Sequence, residues 1–468
     1  MKLSAKLAWG LLAVCVVVVV AAWYVLIGSP PPQPSTFTGF PPFSVENPRF
    51  TGTASCSGRA CHGGLEPSGE GTGIQGNEHT TWLTRDHHPD AYRVLFNGRS
   101  VHIVRALDLK QPAHENKRCL ACHVNPAILD EKSELALAER QAGVGCETCH
   151  GAARDWFGPH TGWAALDKEQ KRELFTKHSM TWLGGPRERA ETCVRCHVGA
   201  GPEHDVDHDL IAAGHPRLEF ELTAFLANLP PHWRERKGDH DNEAQAWAVG
   251  QVVTASAALR QLRQRAEKDK PWPEFAEYDC FACHHDLSQD WRRERRRFDV
   301  RLLGSLSWNE RYMIFLPDLL AEKAKDTNGL SKLATAMAMP WPDKAAVQRQ
   351  AGELERYADA ALARLEMKPL RSEDARALIA AITGNPQRWT TNWDAAAQSY
   401  LALAALLRAL GANDSDPELR ELGELLAFPH ATDSPSMFRK DGAFDERFLA
   451  ILGRIRKAHG PVGAALPR

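Results

Sequence analysis

"GVGCETCHGAARDWFGPH", residues 143–160, decides how this chain is to be read. Cys146 and Cys149 stand three positions apart, His150 follows the second cysteine at once, and His160 lies ten residues further on. Two thiols at C-x-x-C spacing with an adjacent histidine are what covalent haem attachment requires. The sulfurs add to the porphyrin vinyl groups and the imidazole turns onto the iron.

The signature recurs along the chain. Ten of the eleven cysteines form five pairs, each followed directly by histidine: "CSGRACH" (Cys56, Cys61, His62), "CLACH" (Cys119, Cys122, His123), "CETCH" (Cys146, Cys149, His150), "CVRCH" (Cys193, Cys196, His197) and "CFACH" (Cys280, Cys283, His284). Zinc knuckles and C-x-x-C disulfides use the same cysteine pairs but do not need histidine at the next position. With 20 histidines in 468 residues, five such coincidences have odds on the order of one in several million. Five covalent haem c groups are the expectation, the first on a wider-spaced variant of the motif.

A chain of 468 residues, 43% hydrophobic and 25% charged, has the composition of a globular protein of two or three domains. Its formal net charge of -2 excludes the basic domain that a nucleic-acid partner requires. Near the N-terminus an unbroken apolar run of 21 residues, Leu7–Ile27, comes after Lys2 and Lys6. That length spans a bilayer as a helix, and the run ends in "WYVLIGSPPP" instead of the small residues of a cleavage site. Residues 1–28 therefore read as a membrane anchor, with a cleaved signal peptide as the alternative. Positive-inside topology places the chain beyond residue 28 on the periplasmic side of the bacterial inner membrane, the side on which C-x-x-C-H sequences receive haem. Lone Cys15 falls inside the apolar run.

Prolines 30, 31, 32, 34, 41 and 42 make residues 29–49 a semi-rigid linker. Residues 50–297 hold every motif and predict a mainly α fold: short helices and long loops with the core built around porphyrin faces. The second and third motifs, Cys119 and Cys146, are only 27 residues apart, which points to two closely packed haems. From residue 298 there is no cysteine, and an alanine- and leucine-rich pattern predicts a haem-free helical domain over 298–468. Asp343 is placed to cap a helix on which Val347, Ala351, Leu354, Ala358, Ala361 and Leu365 recur at helical spacing. A second helix is predicted to end at Gly411. The absence of cysteine predicts that this domain can be removed without loss of haem. The basic run Trp291–Arg301 reads as a solvated helix face or a docking patch.

What fills the sixth position of each iron decides the function. His160 is flanked by aromatics and Gly-Pro and reaches an iron, though by its short connection not that of His150. His88 lies in the aromatic-rich "WLTRDHHPDAYRVLF". His208 and His215, seven residues apart, share a helix face if the segment is helical. His114 precedes the second motif but has little chain with which to reach the opposite side of that haem, so the iron on His123 is the one expected to be open if any is. Met180, the one methionine of the haem region past the initiator, reads as core filler.

These residues resemble the multihaem c-type cytochromes related to the tetrahaem electron carrier of ammonia-oxidising bacteria, the cytochrome c554-like family, with which hydroxylamine oxidoreductases share haem packing. The resemblance rests on "TGTASCSGRACHGG", "TRDHHPDAY", "GVGCETCHGAARDW", "CVRCHVG" leading into "HDLIAAGHPRLEFE", and "YDCFACHHDL". It implies bis-histidine haems in close pairs, with distal roles for His88, His160, His208 and His215. The chain departs from the tetrahaem pattern in its five motifs, its apolar N-terminus and its helical C-terminal region. The expected function is single-electron transfer between redox protein partners by a membrane-anchored pentahaem cytochrome. The rival is an oxidoreductase acting on a small nitrogen or sulfur compound at one five-coordinate haem.

Overall fold

Short polar residues start the helices of the motif-bearing half. Side-chain oxygens of Asn97, Asn116, Ser133, Asp167, Asp207 and Glu221 accept hydrogen bonds from first-turn amides, satisfying donors that a helix end leaves without partners. After α1 (Glu78–Arg85) the helices so begun are α2 (Gly98–Ala106), α3 (Lys117–His123) and α4 (Glu134–Gln141). Next come α5 (Cys146–His150), α6 (Lys168–Lys177), α7 (Pro186–Val194), α8 (His208–Ala212) and α9 (Leu222–Asn228).

The computed structural model describes residues 50–66, 75–199, 201, 204–233, 241–267, 270–280, 283–284, 305–320, 329–390, 392–412, 416–427 and 443–460. The apolar run Leu7–Ile27, Cys15, the proline linker and the basic run Trp291–Arg301 lie outside the described residues. Among the described residues the fold is helical, no helix is long and apolar enough to cross a membrane, and the one β-type pairing is an isolated bridge between Tyr278 and Trp308.

One helix departs from the expectation of short elements in the motif-bearing half. Helix α10 (Asp241–Arg265) is 25 residues long, with Trp247, Ala248, Val249, Val252, Leu259 and Leu262 all buried. Apolar residues on every side suit a helix enclosed by neighbours. A Cβ at Gly250 would meet the Leu222 Cβ at 2.6 Å, so glycine lets α9 approach closely.

Beyond residue 298 lie α11 (Leu316–Leu319), α12 (Gly329–Met337), α13 (Lys344–Met367), α14 (Ser372–Gly384), α15 (Trp393–Ala409), α16 (Pro417–Leu426) and α17 (Ala443–His459). Asp343 caps α13, accepting from the Ala346 amide, and all six periodic residues from Val347 to Leu365 are buried. Gly411 adopts φ +88°, and its amide and that of Ala412 donate to the Arg408 and Leu407 carbonyls; this is the left-handed cap that glycine favours.

The change of composition near 298 is not a gap in space. Helix α10 packs against α7 on one side of the boundary and against α13 and α15 on the other, and Phe43–Arg468 form one compact unit. Directly before the fifth motif, the Asp279 amide donates to Ser307 O and the Asn309 amide to Glu277 O, both at 2.9 Å. Removing the region past residue 300 would therefore take away backbone partners of Glu277 and Asp279, directly before that motif.

Candidate functional site

Each motif is held by local backbone. The second occupies α3, the third forms α5, and the fourth runs from the end of α7 into a π-turn, Arg195–Gly199, an irregularity frequent at functional positions. The first follows a 3₁₀ turn, Thr53–Cys56, and the fifth lies just after another, Phe275–Glu277.

The fold brings histidines from distant segments to face motif histidines. His160 is stacked on His62, with ring centres 6.2 Å apart and 15° between planes. His88 stands edge-on to His197 at 6.2 Å and 80°. His215 stands edge-on to His123 at 6.4 Å and 89°. Two imidazole nitrogens on opposite sides of one iron, each at about 2 Å, place ring centres about 6 Å apart, so all three pairs fit a six-coordinate haem iron.

Nδ1 is engaged in five of the six facing rings. His160 Nδ1 lies 3.1 and 2.5 Å from the carbonyls of Trp156 and Phe157, His123 Nδ1 is 2.6 Å from Ala91 O, and His215 Nδ1 is 2.8 Å from Pro216 O. A carbonyl only accepts, so Nδ1 carries the proton in these three rings and Nε2 keeps the lone pair that binds metal. Carboxylates fill the same role for His62, 3.0 Å from Glu78, and for His88, 3.0 Å from Asp86. Burial holds His150 and His197 down at about 4, so both are neutral at pH 7, the form that ligates metal.

His150 is half-buried, with its buried Nδ1 unpartnered. After burial, the nearby His232 is the next influence lowering its pKa, so His232 sits close to this third motif histidine. Sequence reading passed over His232. The available signal was "LPPHW", where two prolines stiffen the approach and Trp233 comes next; His232 Nδ1 lies 3.3 Å from the Pro230 carbonyl. His208 is placed near the fifth motif: its amide donates to Glu274 Oε1 at 2.9 Å and its ring meets Phe275 at 5.8 Å. His114 faces no motif histidine; its ring is stacked on Phe96 at 4.3 Å, and Nε2 lies 3.7 Å from Glu115. Met180 packs with Trp156, Trp163 and Phe175 as core.

The cysteines define how the motifs adjoin. Cys56 of the first lies beside Cys146 of the third, Cys149 of the third lies near Cys193 and Cys196 of the fourth, and Cys196 lies beside Cys122 of the second. Sγ of Cys122 and Cys196 and a ring nitrogen of His204 lie within 4.8 Å of one another, a cluster that belongs to the motifs themselves. Arg217, two residues after His215, reaches Cys280 of the fifth motif at 3.8 Å. The first four motifs thus adjoin in the order first, third, fourth, second, and Arg217 links the segment of His215 to the fifth. Cys196 of the fourth motif adjoins both Cys122 of the second and Cys149 of the third. Burial pushes the thiols of Cys149 and Cys193 up to about 11 and about 12, whereas Cys61 and Cys283, in the first and fifth motifs, are exposed.

Buried carboxylates brace the first contact. Glu147, inside the third motif, accepts from the amides of Thr51 (2.9 Å), Gly52 (2.7 Å) and Ala153 (2.6 Å). Glu139 accepts from the Thr53 amide and hydroxyl at 2.6 and 2.7 Å. Burial raises the pKa of both. The Cys146 amide in turn donates to Thr53 Oγ1 at 3.3 Å.

Residues 55–151, which hold the first three motifs, match the family described as cytochrome c554 and c-prime. Neither a curated protein nor a solved structure matches the chain. With paired thiols and facing histidines in the matched stretch and further motifs of the same kind beyond it, residues 55–151 are similar to the cytochrome c554 family of multihaem c-type cytochromes.

Proposed function

We propose that the chain is a pentahaem electron carrier whose irons are saturated by pairs of histidines. Haem bound at these sites supplies one-electron redox chemistry. Cys56 and Cys61, Cys119 and Cys122, Cys146 and Cys149, Cys193 and Cys196, and Cys280 and Cys283 hold the groups covalently. His62, His123, His150, His197 and His284 are the proximal ligands. His160, His215, His232 and His88 serve the irons of His62, His123, His150 and His197 in that order, and His208 serves His284. His114, a candidate from sequence, has no place in this set because His215 stands where it was needed.

The observation that carries this reading is the set of three facing imidazole pairs at 6.2 to 6.4 Å. Carbonyl and carboxylate partners at Nδ1 fix the orientation and tautomer of five of these rings, and burial lowers the pKa of His123, His197 and His215. A saturated iron leaves no position for a substrate, which favours a carrier over an oxidoreductase. The order of motifs, with Cys61 of the first and Cys283 of the fifth exposed, suits entry of electrons from one redox protein and exit to another. Residues 1–28 anchor the chain in the bacterial inner membrane, with the haem-bearing part in the periplasm.

Haem quantification and EPR of the oxidised protein test this. Five covalent haems per chain, all low-spin, with no carbon monoxide bound after reduction, are expected. Two or more high-spin, carbon monoxide-binding irons overturn the carrier reading. For the anchor, the full chain is expected in the membrane fraction, and a chain beginning at Ser44 in the soluble fraction with its haem; a mature N-terminus just after Gly28 overturns it.

A further inference from the structure

The segment that carries His215 is gripped by residues from the cysteine-free region. Arg217 forms a two-pronged ion pair with Asp394: Nη1 is 3.0 Å from Oδ2 and Nη2 is 2.6 Å from Oδ1. Asn309 Nδ2 donates to the same carboxylate at 2.7 Å. The next residue, Leu218, is held by its carbonyl, which accepts from the Tyr312 hydroxyl at 2.9 Å and from Arg311 Nη2 at 3.3 Å. Arg217 also meets Glu219 at 2.5 Å, and its Nη1 lies 3.8 Å from Cys280 Sγ. Asp394 is 7% exposed, so water does not substitute for the guanidinium.

We propose that Asp394 is a positioning residue for two haem sites at once: by clamping Arg217 it fixes His215 opposite His123 and sets the same guanidinium against the fifth motif. The planar guanidinium makes this a rigid connection, since both nitrogens engage the carboxylate in one geometry that an ammonium does not reproduce. Loss of the carboxylate leaves Arg217 paired only with the exposed Glu219, and the guanidinium is drawn outward toward it. Outward movement of Arg217 carries the backbone two residues from His215. The helical region without cysteine thereby governs the iron held between His123 and His215. This inference rests on those two histidines ligating one iron.

Four variants of the full-length holoprotein test it: His215→Ala, Asp394→Ala, Asp394→Asn and Arg217→Lys, with covalent haem content, EPR spin state, carbon monoxide binding and midpoint potentials as readouts. His215→Ala is expected to convert one iron to high-spin, binding one carbon monoxide, without loss of haem. Asp394→Ala is expected to give the same single-site signature in a substantial fraction of molecules, and Arg217→Lys in a smaller fraction. Parental spin state and potentials in both Asp394→Ala and Arg217→Lys, beside a changed His215→Ala, overturn the role of Asp394 alone. An unchanged His215→Ala overturns the His123–His215 pairing and this inference with it. Changes at irons other than those of the second and fifth motifs mark general unfolding and overturn it too. If Asp394→Ala does not accumulate, Asp394→Asn, which keeps the shape and loses the charge, carries the same two outcomes: one high-spin iron supports the clamp and none overturns it.

Discussion

The rings of His62 and His160 lie nearly parallel, 15° apart, with centres separated by 6.2 Å. His160 is thus turned away from the motif that precedes it in sequence and toward the first motif. The Cys56–Cys146 contact and the Glu147 hydrogen bonds explain how: they hold the first and third motifs together, so the chain leaving His150 passes beside His62.

His160→Ala is therefore expected to open the iron on His62. Haem content stays constant, because the thioether bonds are untouched, while one low-spin EPR signal is lost and the reduced protein gains one carbon monoxide site. A spectrum identical to the parent's would sink the pairing.

His232→Ala and His114→Ala are expected to behave oppositely. Nearness of His232 to His150 predicts one new high-spin iron in the first variant. Stacking of His114 on Phe96 predicts an unaltered haem spectrum in the second. Optical titration with carbon monoxide reads both, and a reversed pattern refutes the assignment.

Glu147→Ala strips the partner from three backbone amides in a closed site. At roughly 1–3 kcal/mol for each buried donor left unpaired, a loss of about 3 kcal/mol or more is expected. Glu147→Gln retains one acceptor oxygen, and about half that loss is expected. Denaturant midpoints of the two variants check the ranking.

Asp359, on α13, gives a pH dependence. Burial, then the neighbouring Glu355, pushes its carboxyl up from 3.8 to about 6, against the lowering effect of Arg260 and Arg187 and with Glu191 adding to the rise. The folded protein keeps this proton at pH values where the unfolded chain has released it. Its contribution to stability is complete below the unfolded value of 3.8 and is lost as pH rises through about 6. Asp359→Asn is expected to raise stability at pH 7 by on the order of 1 kcal/mol, less than the full shift implies because water screens a half-exposed carboxyl. Equal parental and variant stabilities at pH 4 and at pH 7 contradict this.

Truncation after residue 300 is expected to lower occupancy of Cys280 and Cys283. It removes Ser307 O, the Asn309 amide and Asp394, which brace the fifth motif and Arg217. Mass spectrometry of the truncated chain counts the haems directly; a full complement shows that the motif stands without that support.

The covalent chemistry was legible in the sequence because it is local: C-x-x-C-H places two sulfurs and an imidazole within one helical turn, whatever the rest of the chain does. Helix α13 and the end of α15 were legible for the same reason, through a 3.6-residue period, an aspartate cap and a glycine in the left-handed region. The partners of the motif histidines were not. Whether His215 or His114 faces His123, why His232 lies by His150, and how the motifs succeed one another in space depend on where distant segments cross, and no periodicity records that. Helix α10 and the Arg217–Asp394 clamp belong to the same class: burial on all sides, and an ion pair between residues far apart in the chain, exist only once the chain has closed on itself. Local spacing made each motif recognisable, and tertiary contacts alone decided which motifs meet.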